Sequence, residues 1–295
     1  MPECADIGNA EKHGVIEFCT EGLFRMTMQP DQIQRDRNAI PEIPKVPWSQ
    51  LGPEFVTIWG RADPNDPQPE HMEIVGMNGS GKTYFLMVIL QMLMLIRDSR
   101  IILVVTKQSD KVFMKLGWPI VTEFKDLKKH KQCIYWPKTK ELGDKRDEFQ
   151  ELRLYELLTR LWKEDANIFI AFDEIARIES LSPRVKQLVG MYWREARSMG
   201  ITIIAMKQRP QGVQRDMHSE TYWTITFKPK DEDDGQRFAE LLGNRKQWQM
   251  VFEQMDADNH EFVIKHTRTG IAYISWVDFE LQPIEPPSEQ NRLFR

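Results

Sequence analysis

The sequence predicts an α/β fold with a mostly parallel central sheet covered by helices, and three observations predict it. Short, continuous apolar runs recur: MEIV (72–75), IILVVT (101–106), NIFIAF (167–172) and ITIIAM (201–206). A strand that is apolar on both faces belongs in a sheet covered on both sides, which is where parallel strands are found. Stretches with helical spacing separate these runs. Finally, the first run empties into a glycine-rich loop that opens a helix.

Taken in order, residues 1–54 read as an N-terminal extension. Pro30, Pro41, Pro44, Pro47 and Pro53 interrupt them, and each proline lacks an amide donor and restricts its predecessor. Residues 40–53 are expected to form an extended linker, FVTIW (55–59) a short strand, and DPNDPQP (63–69) a turn cluster. The main domain is expected to span 55–282. After the strand at 72–75 comes a helix over 82–97, then the strand at 101–106 and a short helix over 109–116. PIVTEF (119–124) and CIYW (133–136) are short strand candidates. Residues 144–163 form a long amphipathic helix, with Phe149, Leu152, Leu154, Tyr155, Leu158 and Leu161 at helical spacing. A helix over 183–197, ended by Gly200, separates the strands at 167–172 and 201–206. TYWTITF (221–227) alternates as a strand, and 261–266 with 270–277 form a C-terminal β-hairpin. Residues 283–295 make a polar, proline-bearing tail.

Composition excludes several classes of function. The 295 residues are 41% hydrophobic and 28% charged, ordinary for a globular protein. Cys4, Cys19 and Cys133 are far apart and form no C-x-x-C pair, which excludes a disulfide framework and a zinc ribbon and fits a reducing cytosol. The six histidines show no metal-ligand spacing. The most apolar run, YFLMVILQMLMLI (84–96), falls short of the roughly 20 residues needed to cross a bilayer. A buried helix is expected there, with no stable membrane insertion. The N-terminus has neither the basic start nor the apolar stretch of a signal peptide, so a cytoplasmic location is expected.

Net charge is −4 and the pI is near 6.0, which does not announce a nucleic-acid binder. Yet residues 107–146 carry eleven Lys and Arg against five Asp and Glu. That segment either meets phosphates or forms a solvated face. The nine tryptophans, Trp118, Trp136, Trp193, Trp223 and Trp248 among them, are read as core or interface packing rather than base-stacking platforms.

The chemistry is concentrated in three strand ends. GMNGSGKT (76–83) fits G-x-x-x-x-G-K-[ST] and lies between a strand and a helix, as that pattern requires. Gly76, Gly79 and Gly81 let the main chain curl, so that amides from Gly76 through Met77, Asn78, Ser80, Lys82 and Thr83 to Tyr84 converge on the phosphates of ATP. The helix adds its positive end. Lys82 would neutralise the β- and γ-phosphates, and the Thr83 hydroxyl would bind Mg2+. The strand at 167–172 ends in Asp173, placed to hold the magnesium shell, and Glu174, placed to polarise the attacking water as general base. The strand at 201–206 leads to Gln208, which either contacts the γ-phosphate region or is simply a polar strand end.

The order GMNGSGKT, IFIAFDE, WREARSMGITIIAMKQRP resembles the HerA/FtsK superfamily of P-loop ATPases over about residues 72–227. The resemblance implies a RecA-like P-loop NTPase fold with Walker A and Walker B elements and a Gln-bearing third strand. It also implies an ATP-hydrolysing duplex-DNA translocase working as a homo-oligomeric ring, hexameric in most members. The compact plan is nearest to small viral genome-packaging ATPases. That would add a portal or capsid-vertex partner and a place in the host cytoplasm or the virion. Arg197 matches the family's Arg-x-x-Gly segment with Gly200 and becomes the first candidate for an arginine given to a neighbouring subunit's nucleotide; Arg194 and Arg215 follow. The family's Asp-x-Lys after the second strand keeps only its lysine, Lys107. Two other activities compete: an ATPase for virion extrusion or assembly like the Zot-like proteins of filamentous phages, and an ATP-dependent scaffold or switch with weak hydrolysis.

Overall fold

The computed structural model describes residues 42–60, 68–96, 98–209 and 215–281. The extension before residue 42, most of the turn cluster at 63–69 and the tail at 283–295 lie outside the described residues. One sheet of nine strands is built from the described residues. In chain order these are β1 (His71–Val75), β2 (Arg100–Val104), β3 (Ile120–Val121), β4 (Gln132–Tyr135), β5 (Ile168–Phe172), β6 (Ile201–Lys207), β7 (Thr221–Phe227), β8 (Phe262–His266) and β9 (Ala272–Ser275). Their spatial order is β3-β4-β2-β5-β6-β1-β7-β8-β9. Strands β3 to β7 across this order pair in parallel, while β8 and β9 add on antiparallel as the expected hairpin.

Side chains alternate across the sheet with a period of two, and each set has its own cover. Met72, Ile74, Leu103, Ala171, Ile204 and Met206 face α1 (Trp48–Gly60) and α2 (Lys82–Ile96). Ile102, Val104, Ile170, Phe172 and Ile203 face the other way, against α4 (Asp144–Leu161), α5 (Ile175–Ser180) and α6 (Pro183–Glu195). The apolar run after the glycine loop is α2, whose residues from Phe85 to Leu90 are all buried. It is a core helix. Beyond α7 (Arg215–Glu220), α8 (Glu232–Leu242) and α9 (Arg245–Glu253) close a third cluster over Val75, Val263 and Ile274. Among the described residues no helix is long and apolar enough to cross a membrane.

Three expectations need correction. Residues 48–60 are one helix, α1, not the end of an extended linker followed by a strand. A strand would have put Val56 and Ile58 on one face. Instead Val56 is 0% exposed and Ile58 is 65% exposed, while Trp48, Leu51, Phe55, Val56 and Trp59 turn inward at helical spacing. Aromatic and β-branched residues favour strands only weakly, and burial of these five side chains overrides that preference. Trp48 stands edge-on to Phe85 at 4.8 Å, which pins α1 to α2. The helix expected over 109–116 shrinks to a 3-10 turn, Phe113–Leu116, because Asp110 caps the amides of Val112 and Phe113 and Gly117 ends it in the left-handed region. The short α3 (Phe124–Leu127) and the helices α5, α8 and α9 had no counterpart in the sequence reading. Of the five tryptophans singled out, Trp118, Trp136, Trp193 and Trp248 are buried and Trp223 packs on the core.

Candidate nucleotide site

The site is built where four neighbouring strands end at the same edge. β1 lies beside β6, β6 beside β5 and β5 beside β2, so their carboxyl ends bring the glycine loop, Gln208, Asp173–Glu174 and Lys107 together. This is the edge at which parallel α/β sheets bind ligands.

The loop after β1 is fixed at its base, since the Gly76 amide donates to the Lys207 carbonyl at 3.3 Å. Gly76 is required sterically. A Cβ there would stand 2.7 Å from Ser80 Oγ and 2.8 Å from Phe227 Cβ. Gly81 is required conformationally, at φ +102. Lys82, the first residue of α2, reaches back and donates from Nζ to the Met77 carbonyl at 2.9 Å, a position a phosphate oxygen would take over. Burial pushes the Lys82 ammonium down to about 8; Glu174 and Asp173 pull against this, while Lys107 and Lys230 add to it. Thr83 is half-buried on the first turn. Tyr84 turns its hydroxyl to the C-terminal segment, accepting from the Leu281 amide at 2.6 Å and donating to the Phe279 carbonyl at 2.9 Å.

Asp173 follows the last residue of β5 and is 2% exposed, with its amide on the Val104 carbonyl at 3.1 Å. Lys107 Nζ donates to Asp173 Oδ1 at 3.0 Å and lies 3.4 Å from Asp110 Oδ2. Burial raises the Asp173 carboxyl pKa, against Lys107. Its other oxygen, Oδ2, is buried and accepts no hydrogen bond among the described residues. A buried carboxylate oxygen left unpartnered is costly, and a divalent cation supplies what it lacks. The donor set, carboxylate and hydroxyl oxygens, suits a hard ion such as Mg2+.

Glu174 is the N-cap of α5. Burial pushes its carboxyl up to about 6, with Asp173 adding to the effect; Lys82, Lys107 and a hydrogen bond with Gln208 act the other way. Glu174 and Gln208 thus lie near each other, at the ends of the neighbouring strands β5 and β6. Beneath the loop, Lys207 is fully buried, with Nζ 2.5 Å from Glu73 Oε2 and 3.2 Å from His218 Nδ1. Thr224 donates to the other Glu73 oxygen at 2.9 Å. This closed polar cluster ties β6, β1 and β7 together below the glycine loop.

Lys82, Thr83, Asp173, Glu174 and Gln208 are thus brought to one edge, and Arg197 is not. It precedes β6, at the opposite end of that strand, where it donates to the Gln68 carbonyl at 3.3 Å and packs over the Tyr222 ring. Arg194 is exposed on the last turn of α6, and the side chain of Arg215 lies outside the described residues. Two contributors were not singled out from sequence as site residues. Lys107 is the cation on Asp173, and Lys230 donates to the Asn78 carbonyl of the glycine loop at 2.8 Å. The lysine closing IILVVTK was the available signal for the first; the second has none.

No family model matches the chain, and no curated protein matches it in sequence. Solved structures do match its fold. The genome packaging NTPase B204 from Sulfolobus turreted icosahedral virus 2, in complex with sulfate, aligns with a TM-score of 0.52 at 12% identity, over 72% of this chain and 98% of that one. The DNA-packaging ATPase B204 from Sulfolobus Turreted Icosahedral Virus gives 0.52 at 14% identity, over 73% and 98%. The cytoplasmic domain of the Thermomonospora curvata type VII secretion ATPase EccC gives 0.54 at 16% identity, over 75% of this chain and 26% of that one. These neighbours are P-loop ATPases of the FtsK/HerA type. At such identities the likeness is one of fold, and it is the fold the sequence predicted.

Proposed function

We propose that this chain, which has the fold of FtsK/HerA-type P-loop ATPases, hydrolyses ATP and uses the energy to move duplex DNA, as a viral genome-packaging motor or a related mobile-element pump. The observation that carries the reading is the convergence, at one edge of the sheet, of the glycine loop with Lys82, the buried Asp173 with its unpartnered Oδ2, and Glu174, whose carboxyl burial pushes up to about 6. A carboxylate tuned close to working pH can take a proton from an attacking water. A scaffold or switch has no need of such a base. Main-chain amides from Gly76 to Tyr84 would hold the triphosphate, and Lys82 would leave the Met77 carbonyl for its oxygens. Thr83 and Asp173 Oδ2 would hold Mg2+, which neutralises charge between the phosphates. Lys107 fixes Asp173 for that task. Gln208, bonded to the base, would report on the γ-phosphate and carry its loss into β6.

The active form in this reading is a homo-oligomeric ring, a hexamer by family precedent, in which Arg197 serves a neighbour's nucleotide. A portal or capsid-vertex partner would complete a packaging machine. B204 carries genome packaging in its description and is matched over nearly its whole length, which favours this reading over virion extrusion. The test is steady-state ATPase activity with and without duplex DNA across a range of salt. A rate raised by DNA supports the motor; one identical with and without DNA at every salt concentration rejects it.

A further inference from the structure

Within the basic segment 107–146 two groups of lysines differ in their partners, while Lys111, Lys115 and Lys128 are exposed without ion pairs among the described residues and lie outside the second group. Around α3, Lys125, Lys129 and Lys131 are matched by Glu123, Asp126 and Asp98. In the loop between β4 and α4 and on the first turn of α4, Lys138, Lys140 and Lys145 are exposed, and none forms an ion pair among the described residues. That loop is anchored at both ends to one point. At its start the Trp136 indole N–H donates to the Lys107 carbonyl at 2.6 Å, and Lys138 Nζ lies 3.6 Å above the same ring. At its end Arg146 and Gln150 donate to the Thr106 carbonyl at 2.7 and 2.8 Å. Thr106 and Lys107 lead directly to Asp173, through the 3.0 Å ion pair of Lys107.

We propose that residues 137–145, the β4–α4 loop with the first two residues of α4, grip the phosphate backbone of duplex DNA and pass the contact to the nucleotide site through Trp136 and Lys107. This rests on the motor reading above and names its track-binding element. Ammonium groups on flexible stems suit phosphates and carry no sequence information. The aromatic ring at the loop's start, Trp136, is 1% exposed beneath Lys138, so it is not a platform for base stacking. Glu141 in the loop and Asp144 at the start of α4 lie among these lysines and limit the net positive charge of the stretch. A pull on Lys138 bears on the Trp136 ring, then on the Lys107 carbonyl, and so on the lysine that orients Asp173.

The experiment uses the full chain, a fluorescent 30-base-pair duplex as probe, and ATPase rates with and without it. Binding of a fluorescent ATP analogue checks that each variant is folded. In the variant Lys138→Ala/Lys140→Ala/Lys145→Ala, DNA affinity should fall at least tenfold, and the dependence of log affinity on log salt should flatten by about 2 to 3, since each lost phosphate contact removes about 0.9. Trp136→Phe keeps the ring and removes the N–H. It should leave DNA affinity within about twofold and lose most of the DNA stimulation, a split that general loss of structure does not produce. Wild-type stimulation with unchanged affinity and salt slope in the triple variant overturns the loop assignment and leaves the motor standing. Unchanged stimulation in Trp136→Phe overturns the coupling route. A wild type that neither binds nor responds to the duplex overturns the motor reading, and the loop assignment with it.

Discussion

Glu174→Gln should make the protein an inactive enzyme and a more stable one. In the folded chain burial and Asp173 hold the Glu174 carboxyl at about 6, against an ordinary 4.5. The fold favours the protonated form, so ionising the group above pH 6 costs stability. The cost disappears below about pH 4.5, where the carboxyl is protonated whether the chain is folded or not. The separation of the two values corresponds to about 2 kcal/mol. Glutamine is a neutral stand-in of the same shape and can still pair with Gln208. Urea unfolding of nucleotide-free protein at pH 7.5 should therefore show the variant more stable by about 1 to 2 kcal/mol, with the advantage shrinking toward zero near pH 4.5. Turnover should fall by about 10²- to 10⁴-fold while ATP is still bound. A variant equal to or weaker than wild type at pH 7.5 would refute the claim that Glu174 is held in an environment hostile to its charge, and the general-base role would lose its physical basis.

Other substitutions test the frame around that group. Gly76→Ala places a methyl group within 2.8 Å of both Ser80 Oγ and Phe227 Cβ. It should cost about 1 to 3 kcal/mol and distort the loop, read as a lower unfolding midpoint together with weaker binding of an ATP analogue. Trp48→Ala removes a fully buried ring that meets Phe55, Phe85 and Phe262. A loss of about 3 to 5 kcal/mol in urea unfolding is expected, and a negligible loss would mean that α1 is not part of the cooperative core. Mixing Arg197→Ala with Glu174→Gln should yield more ATPase activity than either variant alone, because each supplies what the other lacks. No recovery at any ratio would remove Arg197 from a role between subunits.

What could be read from the sequence was what depends on short stretches of chain. A glycine loop between an apolar strand and a helix carries its own geometry, and IFIAFDE carries both its burial and its acids, so the strand–loop–helix at 72–96 and the parallel core strands were evident. α1 was not, because Pro44, Pro47 and Pro53 with the aromatic and β-branched FVTIW favour extended structure locally. Its helix is decided by Phe85 and Phe262, 30 or more residues away, against which Trp48 packs. The electrostatic partners escaped for the same reason. Lys107 meets Asp173 across 66 residues only because β2 lies beside β5, and Lys230 meets Asn78 across 152 because β7 lies beside β1. A net charge of −4 likewise conceals that Lys138, Lys140 and Lys145 are exposed without ion pairs among the described residues within one short stretch.

In the proposed reading, the charges at the sheet edge leave a role for an arginine from outside. Within the chain, Lys82 and Lys107 stand against Asp173 and Glu174, and the ammonium of Lys107 is already committed to Asp173. Bound Mg·ATP would bring net negative charge to this site, and a separating γ-phosphoryl group would concentrate it. Lys230 sits on the glycine loop at Asn78 and is exposed, so it adds a screened cation at the loop's outer side. Arg197 cannot serve the nucleotide of its own chain. β6 separates it from Gln208, and a strand of seven residues spans about 23 Å. Its guanidinium is held at the far edge by the Gln68 carbonyl and the Tyr222 face. An arginine anchored in this way keeps a fixed position relative to its own sheet. If it acts on a nucleotide, it must present that fixed edge to a second copy, so that closing one interface would complete the charge of one site at a time.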